Sequence, residues 1–429
     1  MSTKELILYK DFGEDRLFYD FARLMEHDKT GAQEDMAAVY YRCLHELVEL
    51  SESHGFSGNL WHTFLAYLLV NNENAYSRAC EIRGMAEGSI DRIALHDFAV
   101  FKELFDFDFG VLEKAIGVTG TEFITDYTAA NGGSAGRKLY NRRIRDRICE
   151  LAQHLEAAED AEAFRQAVTG FYRDFGVGKL GLHKAFRVEN TGEGVSIIPV
   201  TNIAHVKLSD LVGYEIAKQK LIANTEAFVN GKQANNCLLF GDAGTGKSTS
   251  IKAIANQYYT KGLRMIEIYK HQFQDLHAVI AQIKNRNYKF IIYMDDLSFE
   301  DFEVEYKYLK AVIEGGLEKK PENVLIYATS NRRHLVREKF SDKADLADDL
   351  HNNDTVQEKL SLAARFGVQI YFGAPDKKEF EKIVKALAAQ HGIDMEEKAL
   401  LAEANQWELS HGGRSGRTAQ QFVDYLLGK

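Results

Sequence analysis

The sequence predicts an α/β fold in which a parallel β-sheet carries helices on both faces, preceded by a mostly helical domain. Up to about residue 187, apolar side chains recur three and four positions apart, as they do in amphipathic helices. From about residue 205, short runs rich in β-branched and aromatic residues alternate with helical stretches, which is typical of parallel sheets. After Pro375 the helical spacing returns, so the chain is expected to end in a small helical subdomain.

Length and composition already exclude several classes of protein. The 429 residues amount to about three average domains. An apolar fraction of 45% is enough for sizeable cores, and a formal net charge of −10 disfavours unspecific binding to nucleic acid or anionic membranes. The four cysteines and the histidines show no spacing typical of a disulfide framework or a zinc site. A reduced, cytoplasmic compartment is therefore expected.

No segment of the sequence has the character of a membrane span or an export signal. The longest apolar run, 60–70, is too short to cross a bilayer and contains a histidine, so it predicts a buried helix. Charged residues interrupt the N-terminal segment too often for a secretory signal. We expect a soluble protein without a membrane partner.

The pattern along the chain predicts four segments. They are a helical N-terminal domain (1–187), a linker (188–204), an α/β core (205–374) and a helical C-terminal lid (375–429). The core is expected to contain five parallel strands, at 236–240, 264–269, 289–294, 324–329 and 368–372. In the lid, Asp376 and Glu379 are spaced as a helix capping box, and an apolar stripe begins at Phe380.

The strongest motif is a phosphate-binding loop at 241–248, which matches the pattern G-x-x-x-x-G-K-S/T between a predicted strand and a predicted helix. Glycines let backbone N–H groups surround an anion, and the helix that follows directs its positive end at the phosphates. We expect Lys247 to bridge the β- and γ-phosphates and Ser248 to ligate Mg²⁺. The predicted nucleotide contacts are Gly241, Asp242, Ala243, Gly244, Thr245, Gly246, Lys247, Ser248 and Thr249.

Polar residues follow two other predicted strands of the core. A phosphate-binding loop needs an acid at the end of a neighbouring strand to hold its metal ion, so we expect Asp295 to hold Mg²⁺ together with Ser248. Asp296 comes next, in the position of a base that polarises water. Asn331 ends the following strand and is expected to hold the attacking water.

Two arginines are further candidates for the chemistry. Arg365 lies just before the fifth predicted strand, and Arg417 lies at the start of the last predicted helix. Guanidinium groups stabilise the charge on a phosphoryl group during its transfer. A surface ion pair is the alternative role for each, and Arg414 is a close alternative to Arg417.

Together these residues resemble those of the AAA+ ATPases, a superfamily of P-loop NTPases. The loop 241–248 is similar to Walker A and the acid pair 295–296 to Walker B. Asn331 resembles sensor 1, Arg365 resembles the arginine finger and Arg417 resembles sensor 2. The resemblance implies ATP and Mg²⁺ as cofactors, and hydrolysis in a ring or filament where Arg365 acts on the neighbouring subunit.

A narrower resemblance involves the bacterial ATPases known as domain of unknown function 815. It rests on the runs 294–299, 314–316, 328–335 and 365–367. The segment 208–214, which contains Val212, Gly213 and Tyr214, is similar to the one that packs on adenine ahead of Walker A in the wider superfamily. The resemblance implies an oligomeric ATPase that remodels or recruits a protein client, and it does not identify the client.

Departures from the superfamily pattern leave two alternatives open. Asp296 is one methylene shorter than the usual glutamate of Walker B, which predicts slower hydrolysis. The acid pair and the Arg-Phe-Gly run also resemble DnaA-type initiators and helicase loaders, so a nucleic-acid-associated ATP switch is one alternative, with the basic segment 137–147 as its contact. A P-loop kinase is the other, which the positions of Asn331, Arg365 and Arg417 disfavour.

Overall fold

Residues 3–12, 16–26, 36–130, 141–192, 194–201, 203–299, 305–314, 321–331, 335 and 362–428 are described by the computed structural model of the protein. The chain divides into two units, Met1–Leu182 and His183–Lys429. No helix of the described part combines the length and the hydrophobicity that crossing a bilayer requires.

Helices form the first unit, as the sequence predicts. They are α1 (Arg16–Met25), α2 (Met36–His54), α3 (Leu60–Asn71), α4 (Ala75–Arg83), α5 (Ser89–Phe105), α6 (Phe109–Ile116), α7 (Thr121–Thr125), α8 (Arg142–Glu156), α9 (Ala161–Phe175) and α10 (Gly178–Leu182). The apolar run 60–70 forms α3, and Trp61 in it is fully buried. Asp160 caps α9 by accepting from the backbone N–H of Ala163, which separates α9 from α8.

A seven-stranded sheet lies at the centre of the second unit. Its strands are β1 (Ala185–Thr191), β2 (Gly194–Pro199), β3 (Cys237–Gly241), β4 (Leu263–Glu267), β5 (Lys289–Met294), β6 (Val324–Ser330) and β7 (Val368–Phe372). Their order is β2-β1-β4-β5-β6-β3-β7, and every neighbouring pair except β1 and β2 is parallel. The five predicted strands are confirmed as β3 to β7.

The predicted count of five strands is wrong because a hairpin extends the sheet at one edge. The hairpin of β1 and β2 pairs with β4, where Ala185 lies opposite Met265. Most of the range predicted as a linker, 188–204, therefore belongs to the sheet. The hydrophobic signal of β2 is weak because an edge strand is only partly covered, and within it Ile197 alone is fully buried.

Helices and lid complete the second unit. The helices are α11 (Glu215–Val229), α12 (Lys247–Tyr258), α13 (Leu276–Ile283) and α14 (Glu305–Glu314), followed in the lid by α15 (Lys377–Gln390), α16 (Glu397–Ser410) and α17 (Gly416–Leu427). Leu221 of α11 and Ile254 of α12 share a core with one face of the sheet. Every residue of β6 is buried, so both sheet faces are covered. The predicted capping box of α15 is present, with Glu379 N–H donating to Asp376 Oδ1 at 2.8 Å.

A buried carboxylate fixes the N-terminal segment of the first unit to α5. Asp97 is fully buried and accepts hydrogen bonds of 2.7 to 3.1 Å from the backbone N–H groups of Ile7, Leu8 and Tyr9. The segment therefore depends on this one side chain for the partners of three backbone donors.

We predict that Asp97→Ala lowers the free energy of unfolding of the first unit by about 3 kcal/mol, because three backbone donors, that of Tyr9 fully buried, lose their acceptor. Urea unfolding followed by Trp61 fluorescence in a Trp407→Phe background measures this unit alone. Asp106→Ala is the matched control, since Asp106 is 58% exposed in its pair with Lys102 and such pairs contribute under about 1 kcal/mol. Equal unfolding midpoints for the two variants would contradict the assignment.

Candidate functional site

The glycine-rich loop connects β3 to α12, so the predicted strand–loop–helix arrangement of a P-loop NTPase is confirmed. Gly241 has φ +134°, and a Cβ there would lie 2.1 Å from the carbonyl oxygen of Phe372 on β7. Only glycine fits this close approach of two backbones. The loop then reaches Gly246, in the left-handed region with φ +90°, where α12 begins and points its N-terminus into a cleft.

Lys247 is the most confined charge of the loop. Its side chain is 6% exposed, and the ammonium donates to the carbonyl oxygens of Gly241 (2.9 Å) and Asp242 (2.6 Å) and to Asn331 Oδ1 (3.0 Å). Loss of water around the ammonium lowers the pKa of Lys247. The nearby carboxylates raise this pKa, but by less than the loss of water lowers it. The loop and the end of β6 are thereby joined through one cation.

The two acids after β5 lie beside the loop, as predicted. Asp295 Oδ1 accepts from the hydroxyls of Ser248 (2.7 Å) and Thr329 (2.6 Å). Loss of water alone would raise the pKa of Asp295, but these hydrogen bonds outweigh it and hold the pKa below its ordinary value. The carboxylate is therefore charged and oriented by two hydroxyl groups.

Asp296 has an unusual backbone conformation for a residue with a side chain. Its φ is +49°, and its N–H donates to Thr329 Oγ1 at 2.9 Å. Its carboxylate accepts from Asn331 Nδ2 at 2.8 Å, and Asn331 at the same time accepts from Lys247. A left-handed conformation of this kind is uncommon and often marks a functional site. Asp296, Asn331 and Lys247 thus form one continuous chain of hydrogen bonds.

Thr329 is a site residue that the sequence reasoning missed. It is buried on β6, donates to Asp295 and accepts from the backbone of Asp296, so it fixes both acids. The sequence feature that could have indicated Thr329 is its position two residues before Asn331, on the strand next to the acids. A buried threonine in a strand is so common that its hydroxyl carries no sequence signal of its own.

The loop, the acids and the lid enclose a cleft of about 660 Å³. Of the segment predicted to pack on adenine, Val212 and Tyr214 line the cleft, and Gly213 does not. Tyr214 is fixed by its hydroxyl, which donates to the carbonyl oxygen of Gly373 at 3.0 Å, and burial raises its pKa to about 12. Asp210 and Leu211 of the same segment also line the cleft, and the lining residues that the sequence did not indicate are Thr329, Ile383, Leu387, Gly416, Gln420 and Gln421.

The lid brings one of the two candidate arginines to the loop. Arg417 lines the cleft, and its backbone N–H donates to the carbonyl oxygen of Gly244 at 3.1 Å. Arg414, the alternative, does not line the cleft, and its Nε donates to the buried Glu408 at 3.1 Å. The geometry therefore favours Arg417 over Arg414 as the cationic residue of the lid.

The other candidate arginine does not reach the cleft of its own chain. Arg365 forms an ion pair with Glu314 at the end of α14, and neither residue lines the cleft. Its Nε is buried without a hydrogen bond to any described residue. Lys247, Asp296 and Asn331 thus lie together in the cleft, and Arg365 lies outside it.

Oxygen ligands of the kind that Mg²⁺ prefers are adjacent at Ser248 and Asp295. A hydroxyl and a charged carboxylate beside a lysine and a helix N-terminus fit a hard cation that shares its ligands with phosphate oxygens. Within the described ranges no group of three or more His, Cys, Asp or Glu could hold a metal ion. The donor set thus fits magnesium bound jointly with a nucleotide, and does not fit zinc.

The basic segment 137–147 is only partly described, since its first four residues lie outside the described ranges. In α8, Arg145 donates to Asp146 at 2.6 Å, and the guanidinium of Arg147 lies 4.0 Å from the ring centre of Phe175. These two arginines are held by neighbours within the first unit, whereas Arg142 and Arg143 at the start of α8 are exposed.

Comparison with proteins of known sequence and structure adds the family. A segment of 77 residues is 35% identical to the replication factor C large subunit of Staphylothermus marinus and spans 17% of this chain and 18% of that protein. The RuvB Holliday junction branch migration motor of Thermotoga maritima is 16% identical, with a TM-score of 0.34 over 51% of this chain and 72% of RuvB. The FIGL-1 AAA domain in complex with ADP is 18% identical, with a TM-score of 0.37 over 53% of this chain and 74% of that domain.

The family model of DUF815, described as a protein of unknown function, matches residues 181–429. This range contains all of the second unit, from the edge hairpin to the lid, and more than half of the chain. The family resemblance drawn from the motifs is confirmed, and the chain belongs to the DUF815 family.

Proposed function

We propose that the protein is a Mg²⁺-dependent ATPase that works as a homo-oligomer and uses ATP to remodel or recruit a protein client. The observation that carries the proposal is the single hydrogen-bond network that joins Lys247, Asn331 and Asp296 beside the Ser248–Asp295 pair. A cation for phosphate, a ligand pair for a metal and a base for water lie side by side at one end of the sheet. Groups of these three kinds recur in enzymes that hydrolyse nucleoside triphosphates.

On nucleotide binding, the charged groups of the site exchange their present hydrogen-bond partners for phosphate oxygens. The Lys247 ammonium gives up the loop carbonyl oxygens and binds phosphate oxygens, which carry full charge and are stronger acceptors. Ser248 and Asp295 hold Mg²⁺, which when bound neutralises phosphate charge. Val212, Tyr214, Ile383 and Leu387 line the same cleft and offer adenine an apolar surface to pack on.

The catalytic step depends on the pair formed by Asp296 and Asn331. Asp296 is exposed to the cleft, so its carboxylate can accept a proton from water once Asn331 releases it and orients that water. An aspartate reaches less far than a glutamate, which supports slow turnover. Arg417 reaches the phosphates from the lid, so lid position and phosphate charge are coupled.

Arg365 is proposed to act on the cleft of a neighbouring subunit. The support is its absence from its own cleft together with the charge that Glu314 holds in place near the start of β7. Because the Arg365 guanidinium is held in place but lies outside the cleft of its own chain, it is suited to complete the cleft of a neighbouring subunit. A protein client, assembly into a ring or filament and a cytoplasmic location are parts of the same proposal. The alternative, a P-loop kinase, would be revealed by phosphate transfer to a metabolite.

The first test concerns binding. We predict that Lys247→Ala weakens ATP affinity about 10- to 100-fold, because a charged donor to phosphate is lost. Isothermal titration calorimetry with ATP and Mg²⁺ measures the change. Lys220→Ala, which removes an exposed lysine from α11, should leave affinity unchanged. If the unaltered protein takes up no adenine nucleotide, the proposed function is wrong.

The second test separates binding from turnover. Asp296→Asn keeps an oxygen that can accept from Asn331 but cannot take a proton, so phosphate release should fall by about 10²–10⁴-fold with ATP affinity preserved. Asp394→Asn, at an exposed position of the lid, is the control and should leave both quantities unchanged. An unchanged rate of phosphate release in Asp296→Asn would exclude Asp296 as the base.

The third test concerns the neighbouring subunit. Arg365→Ala should lower turnover by about 10³-fold or more with ATP affinity retained, because an arginine supplied in trans stabilises the transition state rather than the bound nucleotide. A mixture of Arg365→Ala with Lys247→Ala should recover part of the activity, since each variant supplies what the other lacks. No recovery in the mixture, with wild-type turnover per molecule independent of concentration, would show that Arg365 does not act in trans.

A further inference from the structure

Tyr293 stands next to the proposed magnesium site without a role in the function proposed above. It lies on β5 two positions before Asp295, and side chains two positions apart in a strand share one face of the sheet. Its ring is 2% exposed and packs in the same core as α12. The ring alone would explain a phenylalanine at this position, so the hydroxyl needs a separate explanation.

The hydroxyl of Tyr293 is buried, and none of the described polar groups near it is placed at the distance and angle of a hydrogen bond. The polar groups close to it are Asp295, Ser248 and Thr329, which are the three residues of the metal side of the cleft. A buried hydroxyl without a partner costs about 1–3 kcal/mol, and buried tyrosines usually find one. The unpartnered hydroxyl therefore lies close to the metal side of the cleft, and its burial there destabilises the folded protein by about this amount.

The carboxylate of Asp295 offers the acceptor that this hydroxyl lacks. Ser248 and Thr329 both donate to the same oxygen, Oδ1, and Oδ2 accepts no hydrogen bond from any described residue. Rotation about the terminal bond of an aspartate side chain is soft, so a small rotation changes which donors the two oxygens meet. A cation bound at this carboxylate would impose such a rotation.

On the basis of the proposed function, we propose that Tyr293 is a positioning residue of the magnesium site. Its hydroxyl donates a hydrogen bond to the Asp295 carboxylate when Mg²⁺ and nucleotide are bound, and so fixes the direction in which the carboxylate faces the cation. Partners of this kind, which contact a ligand of the metal and not the metal itself, typically change metal affinity 10–100-fold when they are removed.

A matched control lies on the next strand. Tyr327 of β6 is the register partner of Tyr293, is equally buried and belongs to the same core. Its hydroxyl, however, is satisfied away from the cleft by Thr225 and Asn224 of α11, each at 3.0 Å. Tyr293→Phe and Tyr327→Phe thus remove the same atom from equivalent positions, and only the first removes it from the metal side.

The experiment measures metal affinity apart from turnover. MgCl₂ is titrated calorimetrically into the full chain saturated with ADP, and ADP affinity is measured separately in EDTA. We expect Tyr293→Phe to weaken Mg²⁺ affinity about 10–100-fold with metal-free ADP affinity unchanged, and Tyr327→Phe to leave Mg²⁺ affinity unchanged. Circular dichroism verifies that both variants are folded, and Mn²⁺ in place of Mg²⁺ provides an independent measurement by electron paramagnetic resonance.

The two proposals fail in different ways. Unchanged Mg²⁺ affinity in Tyr293→Phe overturns the positioning role and leaves the ATPase proposal intact. Equal weakening in both tyrosine variants also overturns it, because the effect would then come from the shared core. A wild-type chain that binds no ADP, with or without Mg²⁺, overturns the ATPase proposal itself and the positioning role with it.

Discussion

Burial of the Lys247 ammonium is the constraint on which the arrangement of the cleft depends. A charge that is 6% exposed must be surrounded by acceptors, because an unsolvated ammonium is costly. Two of its acceptors are carbonyl oxygens of its own loop. The loop can fold around the ammonium because Gly241 and Gly246 adopt backbone conformations that residues with side chains disfavour. The third is Asn331, so the loop is tied to β6 by the same charge.

The parallel sheet makes this arrangement possible. In parallel strands the carboxyl ends lie at one edge, and β3, β5 and β6 deliver the loop, the acid pair and Asn331 there. Thr329 then links the strands, since its hydroxyl holds Asp295 and accepts from the backbone of Asp296. The cleft therefore has few independent parts, and a change in one donor alters the orientation of several groups.

Of the two candidate arginines, one lies in the cleft and the other outside it. Arg417 is brought to the loop by the lid, where its backbone bonds to Gly244 and a Cβ on Gly244 would come within 3.0 Å of the Arg417 side chain. Arg365 is held by Glu314 outside the cleft. Arg417 thus lies in the cleft of its own chain, whereas Arg365 lies outside it, which is the reason for the proposal that Arg365 acts on a second subunit.

The sequence by itself determined the α/β class, the five parallel strands, the strand–loop–helix that carries Lys247 and the capping of α15, because these depend on local periodicity and short motifs. The remaining features depend on contacts between distant parts of the chain. The edge hairpin of β1 and β2 is stabilised by pairing with β4 rather than by its own weak pattern, and Thr329 and Tyr293 gain their significance only from strands that are neighbours in space. Contacts between residues far apart in the chain leave no local signal, which is why Arg417 and Arg414 could be distinguished only when the lid was in place.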